Sequence, residues 1–371
     1  MDLGSTVLKL TLSLSDQAGE AIATDDKTAP INNIANSLFS QVSVSLKNTT
    51  ISHPNPHYGY RAYLENLLNY STEAKKTWLT YEGFYQDQAE NFDTETNTGL
   101  LARKALFAGG RKCELVTRLH CDINFQKNLV PSNLDIKYIL TPARQEFVMQ
   151  NFTAEKTFNI KIESAKLIVR KVKLTPEKAL SFEKEIAKDG LRLPIDFVKM
   201  QTFTISAGLK SFEKTAFFSG NLPEHCVFGF ISNTAHNGTF GTNPFNFKHF
   251  DLTQVQFRCN GRPIPTQPLQ VDFGTKNVYE GYTSLYSGLG RQYFDTSNSL
   301  SLADYVGGNA LYAINFNSNT NCPHDDLAKT GTVDISLKFG TALPAPTTLI
   351  VYSSNNAAIL IDRFRNVILE E

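Results

Sequence analysis

VSVSLKNTTI occupies positions 42–51 and VQFRCNGRPI occupies positions 255–264. Each reads as a strand of alternating apolar and polar residues, a tight turn, and the start of a return strand. The turns fall at Lys47-Asn48 and at Asn260-Gly261, and Asn-Gly between alternating residues is the strongest short-range hairpin signal. The same hairpin is thus written twice, 213 positions apart in a chain of 371.

The surroundings repeat in the same order. After the first hairpin come a tyrosine-rich excursion (58–70), INF (123–125) and LDIKYIL (134–140). After the second come a tyrosine-rich excursion (279–286), INF (314–316) and VDISLKF (333–339). Strands carry the likeness and loops absorb the differences in spacing, as in an old duplication.

In the first excursion Tyr60, Tyr63, Leu64, Leu67 and Leu68 fall at helical spacing, which predicts a short packed helix, with Ser71 or Thr72 capping a second. TVLKLTLSLS (6–15) alternates Leu8, Leu10, Leu12 and Leu14 with polar residues, a half-buried strand. The one long helix is predicted at TPEKALSFEKEIAKDG. Thr175 is its cap, Pro176 its first position and Gly190 its end, while Ala179, Phe182 and Ile186 share a face.

That helix divides the chain into a first β domain (1–174), a helical linker (175–192) and a second β domain (193–371). Roughly eight strand signals per copy, with unequal loops, suit a jelly roll better than an immunoglobulin sandwich or a propeller. The expected fold is therefore all-β: two tandem eight-stranded jelly rolls joined by a helix-containing linker, with small helices in loops.

Composition agrees: 26 Phe, 14 Tyr and only 19% charged residues describe short strands and decorated loops. With 36 basic and 36 acidic residues, no global field attracts nucleic acid. The basic run VRKVKL (169–174) reads as a solvated strand face. Cys113, Cys121, Cys226, Cys259 and Cys322 form no CxxC pair and read as free thiols in a reducing compartment. No signal peptide and no apolar run of 18 residues occurs, so neither secretion nor a membrane span is expected. The sequons at Asn48, Asn69, Asn151 and Asn237 then read as chance. A strand that starts almost at Met1 suggests a very short amino-terminal arm or a start trimmed before this strand.

Motifs of catalysis are missing. No GxSxG, P-loop, GxGxxG or HExxH occurs, and GLGRQYF (288–294) lacks the strand-then-helix setting of a phosphate cradle. His53 and His57 lie four apart in a Pro-rich loop, not in the HxH of a metal-binding jelly roll. NCPHDD (321–326) reads as a polar loop tip; the sharper alternative is a divalent cation held by Asp325 and Asp326. No catalytic residue and no cofactor is expected. The loop FGFISNTAHNGTFGTNPFNFKHF (228–250) is apolar enough to bury against another chain or its own domain.

Five stretches together resemble a known family: INNIANSLFSQVSVSLKNTTI (31–51), YGYRAYLENLLNYSTEAKKTWL (58–79), LRLPIDFVKMQTFTISAGLKSF (191–212), FFSGNLPEHCVFGFI (217–231) and the VQFRCNGRPIP hairpin. They are similar to the double jelly-roll major capsid proteins of Polinton/Maverick elements and their adintovirus relatives, in the lineage of adenovirus hexon and tailless-phage capsid proteins. The resemblance implies a non-enzymatic subunit whose homotrimers form pseudo-hexameric capsomers. These tile an icosahedral shell around double-stranded DNA, beside neighbouring capsomers, a penton protein and minor capsid proteins, with no sequence-specific nucleic-acid binding. It places the protein in the virion capsid, made inside the host cell. Two other classes compete: a carbohydrate- or receptor-binding β-sandwich module, and a jelly-roll enzyme. The long insertions at 81–112 and 265–312 are candidates, by length, for an outer tower.

Overall fold

A computed structural model describes residues 1–371 except 24, 54–55, 132–133, 154–155, 294–296 and 317–329. Cys322, His324, Asp325 and Asp326 lie outside the described residues.

Eight strands precede the long helix: β1 (Asp2–Asp16), β2 (Thr28–Pro30), β3 (Phe39–Leu46), β4 (Thr49–Thr50), β5 (Cys113–Thr117), β6 (Ile136–Pro142), β7 (Met149–Asn151) and β8 (Phe158–Arg170). Nine follow it: β9 (Leu191–Ile205), β10 (Ser211–Asn221), β11 (His225–Ser232), β12 (Leu252–Cys259), β13 (Arg262–Gln270), β14 (Leu311–Asn315), β15 (Thr330–Phe339), β16 (Thr347–Ile361) and β17 (Val367–Glu370). Among the described residues every sheet draws its strands from one side of that helix.

The second half shows the jelly roll in full. One sheet runs β9-β16-β11-β14 and the other β10-β15-β12-β13, with β17 added along the end of β16. β9 pairs with β16, and the chain alternates between sheets until the β12–β13 hairpin turns it back, which is the double Greek-key course of this fold. The first half has a sheet β5-β1-β8, a sheet β4-β3-β6 and a small ladder β2-β7.

Pairing partners fix which strands correspond. β1 lies between β5 and β8 as β11 lies between β14 and β16, and β3 lies between β4 and β6 as β12 lies between β13 and β15. A shared irregularity supports this. Phe39 pairs with Pro142 but Gln41 with Thr141, and Leu252 pairs with Phe339 but Gln254 with Lys338. The same one-residue bulge recurs at positions again 213 apart.

The two hairpins differ in their turns. Asn260 (φ 48°) and Gly261 (φ 80°) both have positive φ, as a two-residue type I′ turn requires, while Lys47 sits at φ 54°. The first hairpin returns for only two residues and the second for nine.

Three expectations need correction. INF at 123–125 lies in the helical turn Asp122–Phe125, whereas Ile314 and Asn315 close strand β14, so those matched triplets are not equivalent. Their strands of like position are β5 and β14. LDIKYIL and VDISLKF do hold corresponding strands, but the ladder sets Ile136, not Leu134, in the place of Val333, because Ile136 pairs with Leu46 and Val333 with Cys259. Thr175 and Ser71 stand at cap positions, yet neither side chain makes a capping hydrogen bond. Thr175 accepts Ala179 N–H through its backbone carbonyl, and Ser299 Oγ meets the N–H of Thr72 instead.

Helix Pro176–Asp189 is mostly exposed and anchors through Ile186, with Phe182 half-buried. Gly190 ends it at φ 74°, and a Cβ there would press within 3.1 Å of the Ile361 carbonyl. Elsewhere Leu8, Leu10, Leu12 and Leu14 are buried, and one apolar cluster runs through both halves. The cysteines at 113, 121, 226 and 259 are free.

Candidate functional site

The seam between the two jelly rolls concentrates the molecule's buried polar chemistry. Its centre is helix Tyr58–Asn69, which fills the long connection after the first hairpin and is buried on all sides from Tyr58 to Leu68. A helix so enclosed is ordinarily apolar all round. This one carries Arg61 and Glu65 one turn apart.

Arg61 Nε donates to Glu65 Oε1 at 2.9 Å and Arg61 Nη2 to Asp122 Oδ1 at 2.7 Å. His120 Nδ1 lies 2.5 Å from Glu65 Oε2. The second half reaches in twice: Tyr352 Oη, on β16, donates to Glu65 Oε1 at 3.3 Å, and Val198 N–H, on β9, donates to Asp122 Oδ1 at 3.3 Å. Burial pushes the Glu65 carboxyl up, but Arg61 and His120 outweigh it and hold it at about 2. Burial raises Asp122 against the pull of Arg61, and its Oδ2 has no hydrogen-bond partner. A buried ion set of this kind destabilises strongly when one member is removed, because the others are left uncompensated.

A second knot lies further along the seam. Asp87 and Arg103, both fully buried, pair at 2.9 Å. Asn97 donates to Asp87 at 2.9 Å from the first half and Asn243 at 3.2 Å from the second. Nearby, Asp93 accepts from Asn246 at 2.7 Å and from Lys248 at 3.0 Å. Between the knots Phe245 stacks on Tyr63 with centroids 4.1 Å apart and planes 5° from parallel. Arg291 donates to the Leu68 carbonyl and to Asn69, each at 2.8 Å, and Lys75 Nζ donates to the Asn298 carbonyl at 2.6 Å.

What this arrangement can do chemically is hold two domains at a fixed angle. His120, Cys121 and Asp122 are consecutive, but burial pushes the Cys121 thiol up to about 12, the reverse of an activated nucleophile. The enclosed cavity beside it, lined by His53, Tyr58, Arg61 and Val198 among others, has a volume of about 20 Å³, room for one water. A larger cavity of about 260 Å³ opens at the seam's edge between Phe39, Tyr60, Phe147, His57 and His236. Its imidazoles stand 5.4 Å apart, and burial lowers both, His57 to about 4. Among the described residues no three His, Cys, Asp or Glu side chains converge as a metal site, and no helix is long and apolar enough to cross a membrane.

The turn and linker-helix residues singled out in the sequence lie elsewhere. Lys47 and Asn48 sit at an exposed tip, where Lys47 Nζ reaches Asn366 at 3.3 Å and Thr49 Oγ1 the Val367 carbonyl at 3.0 Å. Asn260 Oδ1 accepts from Thr332 N–H at 2.9 Å. Thr175, Pro176, Phe182, Ile186 and Gly190 stay together on the long helix, which Arg365 ties down through Glu183 at 2.5 Å. Sequence reasoning missed the seam. Its one legible signal was a pair of opposite charges at i and i+4 inside an otherwise apolar helix.

No family model matches the chain. An uncharacterized protein of Caenorhabditis elegans is 26% identical over all of this chain and 90% of its own length. A chain of the Sputnik virophage structure matches with a TM-score of 0.62 at 7% identity, covering 98% of this chain and 82% of that one. The PBCV-1 virus capsid matches at 0.55 and 11% identity over 98% and 88%, and the mavirus major capsid protein at 0.51 and 10% identity over 98% and 83%. The fold is therefore the double jelly roll of viral major capsid proteins.

Proposed function

We propose that this chain is a major capsid protein of the Polinton/Maverick type, which trimerises into pseudo-hexameric capsomers that tile an icosahedral shell around double-stranded DNA. The observation that carries this is one polypeptide in which two like jelly rolls lie side by side, the second hydrogen-bonded onto buried ion sets of the first. Three such chains present six similar domains, so a threefold assembly fits sixfold surroundings. A tile needs a fixed angle between its halves, and Glu65, Asp87 and Asp122, which accept from Tyr352, Asn243 and Val198 of the second half, help to supply it.

On this reading the units are residues 1–174 and 193–371, with 175–192 as linker. The partners are two further copies, neighbouring capsomers, and a penton protein with minor capsid proteins. The protein resides in the virion after synthesis inside the host cell.

The test is absolute mass in solution by light scattering behind a sizing column. A mass of three times 41.3 kDa supports the capsomer, and electron microscopy then looks for shells. A monomer across a wide concentration range counts against it.

A further inference from the structure

The cavity at the edge of the seam has a chemistry that the contact between the halves does not use. Its volume is about 260 Å³. First-half residues form most of it: Phe39 at the start of β3, His57 and Tyr60 at the head of helix Tyr58–Asn69, and Arg144 and Phe147 beyond β6. The second half closes it with His236, from the helical turn Asn233–Asn237.

Rings make the walls. Tyr60 meets Phe147 edge-on with centroids 5.6 Å apart, and His236 faces Tyr60 at 6.0 Å with planes 21° apart. Behind the cavity Phe39 and Tyr60 are closed in by the core. Ring faces with open space on one side lack dispersion partners there, and a flat apolar body restores them.

Charge narrows the class. Burial keeps both imidazoles neutral at pH 7, and no Asp or Glu lines the cavity. Its one formal charge is the guanidinium of Arg144, an exposed side chain that makes no ion pair or hydrogen bond among the described residues. A fork of N–H donors that no protein carboxylate occupies matches a carboxylate held by two bonds. A cation would meet Arg144 with no counter-charge, and a neutral ring would leave the fork unused. Two other cavities lack this combination. The one beside Cys121 has room for one water. The groove of about 440 Å³ between β13, helix Tyr279–Ser287 and β14 carries a carboxylate instead, Glu280, which accepts from Gln270 N–H at 2.8 Å.

We propose that the seam-edge cavity is a binding site for a small aromatic carboxylate, with its ring against Tyr60, Phe147 and His236 and its carboxylate on Arg144. Such a ligand touches both halves. It binds only where the seam is formed, so it stabilises the folded subunit by mass action.

The experiment titrates the full chain with three probes of one shape at neutral pH: 2-naphthoate, its neutral amide, and the cationic 2-naphthylmethylammonium. Calorimetry reads affinity and thermal melts read stabilisation. The expected result is one saturable site for 2-naphthoate with a Kd of about 1 mM or below, and a Tm that rises with its concentration. The amide and the ammonium should bind at least about tenfold more weakly. Arg144→Ala should weaken 2-naphthoate by about tenfold and so close its gap to the amide. Ala143→Phe, which fills the cavity from its half-buried wall, should abolish binding of every probe. The absence of saturable binding overturns the proposal. So does an ammonium that binds as tightly as the carboxylate, an affinity untouched by Arg144→Ala, or binding that survives Ala143→Phe. All of these readouts concern the single subunit, so the proposal stands or falls independently of whether capsomers form.

Discussion

Strands β6 and β15 hold the same place in two copies of one fold, yet they live in different surroundings. Both alternate, both carry the bulge of their partner strand, and both face the core with every second residue. On β15 those residues are sealed; on β6 they are half open. Periodicity is thus a property of the strand, while burial belongs to its neighbours. A repeat can keep the first and lose the second.

The comparison presumes that the two halves are held as one body, and the seam tests that most severely. Arg103→Ala leaves Asp87 buried without its cation. The expected loss is about 3–5 kcal/mol of unfolding free energy, read by chemical denaturation. A loss below about 1 kcal/mol would mean that Asp87 does not depend on Arg103 for its burial.

Next in size is a matched pair of truncations. Ile335→Ala empties a sealed site on β15 and is expected to cost about 2–5 kcal/mol. Tyr138→Ala, at the corresponding half-open site on β6, should cost less than half as much in 1–371. Equal losses would erase the difference between the strands.

Acid probes one imidazole in each half. His57 and His225 are both lowered by burial to about 4, so the folded state holds them neutral while the unfolded chain protonates near 6.5. Their contribution is complete above pH 6.5 and disappears as the pH falls from 6.5 to 4, on the order of 3 kcal/mol each. Glu65, held at about 2, adds a loss below its ordinary range near 4.5. Thermal melts from pH 7 to pH 4 should show a falling Tm, and His225→Gln should flatten that slope; an unchanged slope would remove His225 from the account.

The smallest effect is at the turns. Lys47→Gly relieves a side chain held at φ 54° and should stabilise by about 0.5–1 kcal/mol, whereas Gly261→Ala at φ 80° should destabilise by about 1 kcal/mol. Shifts of the same sign would show that the two turns are not alike in strain.

Much of this architecture was legible in the sequence because it is local. The Asn260-Gly261 turn, the alternation of Leu8 to Leu14 and the helix from Pro176 each follow from a few adjacent residues. The INF match failed because three residues do not carry a period: the copy at 123–125 took a helical turn that brings Asp122 to Arg61. The seam was hidden for a related reason. Arg61, Asp122, Val198 and Tyr352 are far apart in the chain, and only the fold brings them together.

The bulge after Phe39 and Leu252 has an evolutionary consequence. Sliding either ladder by one residue would turn every core side chain towards solvent and put the kink against the wrong partner. Drift could therefore rewrite the text of these strands but not their alignment. Length could change only beyond the pinned pairs, which is where one copy grew a twelve-residue helix and the other a nine-residue one. The paired bulges serve as a datum line, shared by both halves, against which the difference in their insertions can be measured residue by residue.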